Sequence, residues 1–84
     1  MQFIYPYPNA ILKLPKQLDG SPGKAIFELA HRTSASKVFW HLNNEYLGET
    51  SDIHQMELAP DKGEHTVTVV DEKGNTASVR FRVE

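Results

Sequence analysis

The residues of this 84-residue chain whose types and spacing could do chemistry are a serine–lysine pair, four histidines and three tyrosines. Ser21-Pro22-Gly23-Lys24 matches Ser-x-x-Lys, in which a lysine takes the proton of a serine hydroxyl for acyl transfer. That chemistry needs the serine at a helix start, so that the lysine lies one turn later. Here Pro22 and Gly23 intervene, in a stretch that reads as a loop entering a strand. The companion motifs fail as well: Ser51-Asp52-Ile53 lacks the asparagine of Ser-Asp-Asn, and Lys73-Gly74-Asn75 is not Lys-Thr-Gly. Neither a Gly-x-Ser-x-Gly elbow nor a glycine-rich phosphate loop occurs. The match is expected to be a turn, with no catalytic residue in the chain.

His31, His41, His54 and His65 are 10, 13 and 11 residues apart, unlike the close pairs of zinc sites. His41, His54 and His65 fall on separate predicted strands and would meet on one sheet face only in a favourable register. Independent structural or surface roles are expected of them. Asp71 and Glu72 lie together in a predicted turn, where solvation accounts for both. Asp52 and Asp61 are isolated, poor material for a calcium cage. The chain has no cysteine, which removes disulfides and thiolate chemistry. Neither a cofactor nor a metal is expected.

That leaves the aromatic residues. Tyr5, Tyr7 and Tyr46 combine an apolar ring with a polar edge and suit a contact surface. Phe39 and His41 join them if Trp40, between them, faces a core. The candidate interaction surface is therefore Phe39, His41, Tyr46, Tyr5 and Tyr7. Packing of these rings over a sheet, docking on a neighbouring domain and glycan contact are all open on this reading.

The elements that must position these residues are short alternating segments spaced about 8 to 12 residues apart, the rhythm of an all-β sandwich. The opening, 3–14, reads as an edge strand split by Pro6, Pro8 and Asn9, because proline cannot donate to a ladder. Loop residues fill 15–23. Strands follow over 24–31, 37–42, 45–48, 53–59, 64–71 and 76–83, with loops at 32–36, 49–52 and 60–63. Asn43-Asn44 suits a tight hairpin turn, since Asn tolerates positive φ. The 71–75 segment reads as a hairpin loop with Gly74 left-handed. The count is seven strands in two facing antiparallel sheets. Phe27, Leu29, Val38, Trp40, Leu42, Met56, Leu58, Val67, Val69, Val79 and Phe81 are expected between them. Trp40 on the third strand fits an immunoglobulin-like sandwich, although the flanking cysteines and the tyrosine corner of that class are missing.

Composition narrows the function further. Nine Lys and Arg against eleven Asp and Glu give a net charge of -2. Nucleic acid is not an expected partner, because phosphate binding needs a clustered basic surface. No apolar run approaches the length of a membrane span, and the N-terminus has no signal-peptide pattern. The segment itself is expected to make no membrane contact.

In order, these segments resemble the C-terminal domains of penicillin-binding protein 1C. The resemblance starts with Tyr5-Pro6-Tyr7-Pro8-Asn9-Ala10, Leu12 to Pro15 and Asp19-Gly20. It continues through Phe27-Glu28-Leu29-Ala30-His31-Arg32 and the hairpin Phe39-Trp40-His41-Leu42-Asn43-Asn44-Glu45-Tyr46-Leu47-Gly48-Glu49-Thr50. There Asn44 replaces the usual Gly. His54-Gln55 and the run from Gly63 to Asn75 complete it. The resemblance implies a single domain over 1–84, excised from the end of a bifunctional peptidoglycan glycosyltransferase/transpeptidase, with Met1 added to start the piece. The catalytic residues of such a parent lie upstream, so none carries over. It further implies a periplasmic location, in a parent anchored in the inner membrane. The implied partners are the transpeptidase domain of the same chain or a periplasmic protein, such as the alpha-2-macroglobulin-like proteins paired with some family members. Peptidoglycan binding is the alternative.

Overall fold

The computed structural model describes residues 1–21, 23–32 and 36–84. Pro22 and the centre of the predicted 32–36 loop lie outside the described residues. Eight strands follow in chain order: β1 (Gln2–Tyr5), β2 (Ala10–Leu12), β3 (Ala25–Ala30), β4 (Val38–Leu42), β5 (Glu45–Thr50), β6 (Gln55–Leu58), β7 (Gly63–Asp71) and β8 (Thr76–Val83). They form a three-stranded sheet, β1-β3-β6, and a five-stranded sheet, β2-β8-β7-β4-β5. This is the expected immunoglobulin-like sandwich.

The split opening segment accounts for the eighth strand. Its two halves are edge strands, as expected, but of opposite sheets. β1 pairs antiparallel with β3, whereas β2 pairs parallel with β8 through Ala10↔Phe81, Ile11↔Arg82 and Leu12↔Val83. One parallel pairing thus interrupts the expected antiparallel pattern. The proline-rich stretch between the halves carries the chain across the open side of the sandwich. Pro6 is fully buried there.

Between the sheets lie Leu12, Phe27, Leu29, Val38, Trp40, Val67, Val69, Val79, Phe81 and Val83. Phe27 meets Phe81 edge-on across the core, with ring centroids 5.1 Å apart, and Phe3 meets Trp40 at 6.1 Å. Leu42, Met56 and Leu58, expected at the centre, are half-buried around it, because β6 is a sheet edge and β4 runs out into its hairpin. Burying ten apolar side chains at about 1.5–3 kcal/mol each supplies the main drive to fold.

Two turns match their residue types. Asn43 and Asn44 both adopt positive φ, 51° and 73°, the geometry of a two-residue hairpin whose twist matches its strands. Gly74, at φ 86°, closes the β7–β8 hairpin. Gly23 is required for closeness: a Cβ there would stand 2.4 Å from the carbonyl oxygen of Pro15.

Candidate interaction surface

Strand β4 sets the geometry because it shows different residues to its two sides. Val38 and Trp40 point inward and are wholly buried. Phe39 and His41 point outward and are half-buried by cross-strand neighbours. The register arranges the outer face in two rows. Glu49, Phe39, Val70 and Thr76 form one, and Tyr46, His41, Thr68 and Ser78 form the next. A bulge between Trp40 and His41 on the β4–β5 pair separates the rows on β5. The His41 and Tyr46 rings lie 5.5 Å apart at 58°, and Tyr46 is 55% exposed. Three of the five expected surface residues therefore share one platform. Nδ1 of His41 is buried on this face without a hydrogen-bond partner among the described residues.

Tyr5 and Tyr7 stand elsewhere. Tyr5 ends β1, in the three-stranded sheet, and leans on core residue Phe27 at 6.2 Å. Tyr7 follows in the crossing segment, 69% exposed, edge-on to Tyr5 at 6.5 Å. The two line a shallow cleft with Ile4, Ile26 and Lys24. The expected single surface is thus two surfaces. The sequence could not show this, because strand alternation does not reveal which sheet a split strand joins.

The histidines also regroup. The pair that meets is His31 and His54, with ring centroids 5.8 Å apart, at one end of the sandwich. His31 Nε2 is 3.0 Å from Asp71 Oδ2, which ties the end of β3 to the end of β7. His54, 5% exposed, lies 2.8 Å from Thr50 Oγ1, and that oxygen accepts the Trp40 Nε1–H at 2.9 Å. The His31–Asp71 contact joins one sheet to the other, the Trp40–Thr50 bond links neighbouring strands β4 and β5, and His54 brings the approach to β6 against that pair. Asp71 is correspondingly not the solvated turn residue expected. It is 4% exposed, and its carboxylate accepts the backbone N–H groups of Lys73 and Asn75, the Asn75 side-chain amide and the His31 ring. The bonds from Asn75 and then from His31 hold its carboxyl well below the usual carboxylate range.

His65 latches the β4–β5 hairpin. Its Nε2 lies 2.6 Å from the Asp61 carbonyl oxygen, which can only accept, so Nε2 carries the proton. Nδ1 is then free to accept from the Asn43 amide at 2.8 Å, while Asn43 Oδ1 accepts the Thr66 N–H. The ring stacks on Phe81 at 5.5 Å. No group of three or more metal-ligating side chains occurs among the described residues.

Ser21 and Lys24 are turned to other tasks. The Ser21 hydroxyl donates to Asp19 at 2.6 Å, which lowers the Asp19 pKa, and Lys24 pairs with Glu57 at 3.3 Å.

The architecture places the chain among fibronectin type III-like and immunoglobulin-like modules. It superposes on a solved structure of the fibronectin(III)-like modules of Clostridium thermocellum CbhA with a TM-score of 0.72. That match has 13% identity and covers 99% of this chain and 94% of the other. No curated protein matches the chain. The family model of the penicillin-binding protein C-terminus matches residues 1–81, and the chain belongs to that family.

Proposed function

We propose that this domain is a non-catalytic accessory module of a bacterial peptidoglycan synthase, acting in the periplasm as part of an inner-membrane-anchored parent. It holds the transpeptidase domain of its own chain or a periplasmic protein by the outer face of the five-stranded sheet. The observation that supports this reading is the platform of Phe39, His41 and Tyr46 outside a core that closes without them. Interfaces draw their energy from a few partly exposed aromatic anchors of this type. Ser21, the candidate nucleophile, has its hydroxyl held by Asp19, which fits a module that carries no chemistry of its own.

Calorimetric titration of the domain with the transpeptidase domain of its parent tests the proposal. Replacing Phe39 and Tyr46 together by Ala is expected to weaken binding at least tenfold, about 1.4 kcal/mol, with the β-sheet circular dichroism unchanged. Unaltered affinity overturns it. Binding to purified sacculi that persists at about 0.15 M salt and disappears in the same double variant would replace it with a glycan-binding module.

A further inference from the structure

The charges of the chain are segregated. Residues 38–61 contain Glu45, Glu49, Asp52, Glu57 and Asp61 and no lysine or arginine. The remainder holds nine bases and six acids, so a chain of net charge -2 divides into a -5 segment and a +3 remainder. The acidic segment builds β4, β5 and β6. β5 is the outer edge of its sheet and carries Glu45 and Glu49. Glu57 is already matched by Lys24 on the three-stranded sheet. On the five-stranded sheet, neither Glu45 nor Glu49 has an ion pair among the described residues.

Glu49 is also the residue that the register sets beside Phe39, one row from Tyr46 and His41. Neighbouring rows on a sheet face are about 7 Å apart. A carboxylate one row from an exposed tyrosine on the same sheet face offers the two parts of a receptor for a cation. The ring face attracts the charge through its quadrupole, and the carboxylate accepts its N–H groups. The eight residues of the two rows include no lysine or arginine that would fill this position from within. Lys37, the nearest base along the chain, precedes β4, and its backbone N–H is bound to Glu72 at 2.7 Å.

We infer that the partner meets this face with a basic side chain, an arginine or lysine laid over Tyr46 and neutralised by Glu49. The inference rests on the docking role proposed above and gives that partner its chemistry: a protein surface with a positive, aromatic-compatible anchor. A neutral glycan would use the rings and could hydrogen-bond Glu49, but it brings no positive charge for that carboxylate to neutralise.

The test is a nuclear magnetic resonance titration of the 84-residue domain with three hexapeptides that alternate glycine with arginine, lysine or glutamate. The expected result is amide shifts centred on residues 39–49, with arginine at least as effective as lysine and glutamate inactive. Glu49→Gln and Tyr46→Ala should each weaken the arginine peptide about threefold or more, while Glu57→Gln leaves it unchanged. An equal loss in Glu57→Gln would show diffuse charge attraction and overturn the inference, as would shifts centred elsewhere. Perturbation of the same amides by a chitin tetrasaccharide but not by the arginine peptide overturns it in favour of sugar. A parallel titration with the transpeptidase domain separates the two proposals. If Tyr46→Ala abolishes that contact and Glu49→Lys leaves it intact, the face docks but not on a cation. If neither substitution matters, the docking role fails as well.

Discussion

The two sides of strand β4 obey different rules. Inward, Trp40 is wholly enclosed and its one polar atom is satisfied by Thr50, whose hydroxyl also meets the His54 ring. Outward, His41 keeps a buried nitrogen without a partner among the described residues, beside a tyrosine that is more than half exposed. The inner side is settled as an isolated molecule settles. The outer side leaves both polar capacity and apolar area in hand. The contrast separates residues that hold the sandwich together from residues free to meet something else.

Substitutions on the inner side should sharpen it most. Trp40→Ala is expected to cost about 3–5 kcal/mol, enough to leave a domain of this size largely unfolded at 37 °C. Thermal denaturation followed by circular dichroism reads this directly. Next comes Asp71→Ala, which strands four donors and should cost roughly 3 kcal/mol. The pH dependence gives that prediction a sign. Because folding depresses the Asp71 carboxyl, its contribution is fully present above the ordinary carboxylate pKa, about 3.9, and is lost as pH falls through the lower folded value. Urea midpoints of wild type and Asp71→Asn should stay a constant distance apart from pH 7 to 5 and converge below pH 4. A gap that already changes between pH 7 and 5 would take the effect away from the Asp71 carboxyl.

Thr50→Val keeps the shape but removes the acceptor of the Trp40 N–H, at an expected cost of about 1–2 kcal/mol. The outer side should respond far less. Tyr46→Ala is expected to stay within about 0.5 kcal/mol of wild type in chemical denaturation, so that any loss of binding reads as a lost contact. Asn44→Gly should be the smallest change of the set. Glycine reaches φ 73° without strain, and the hairpin should shift by a few tenths of a kcal/mol.

Much of this arrangement was legible in the residue order. Period-two alternation in Val79-Arg80-Phe81-Arg82-Val83 gave strand, face and core membership together. Asn43-Asn44 and Gly74 announced their turns through the conformations they tolerate. The sandwich and the outward aspect of Phe39 and His41 followed from the same alternation. Long-range assembly was not legible. Nothing local says that the residues after Pro8 change sheets, which parts Tyr5 and Tyr7 from Tyr46. Nor does Asp71 advertise its burial. A carboxylate at a hairpin looks solvated until His31, forty residues away in sequence, is brought to 3.0 Å from it. Residue spacing carries no signal for this tie between the sheets.

The parallel seam between β2 and β8 has a mechanical consequence. The chain enters β2 at Ala10 and leaves β8 at Val83, at opposite ends of paired, co-directional strands. A pull between those ends would slide the strands past one another, so the seam's hydrogen bonds, with the adjoining bond from the Glu84 N–H to the Leu12 carbonyl oxygen, must yield together and cannot open one at a time. A hairpin such as β7–β8, drawn from its open end, would unzip bond by bond. The β2–β8 seam therefore resists shear along its strands better than a hairpin resists being opened from its end.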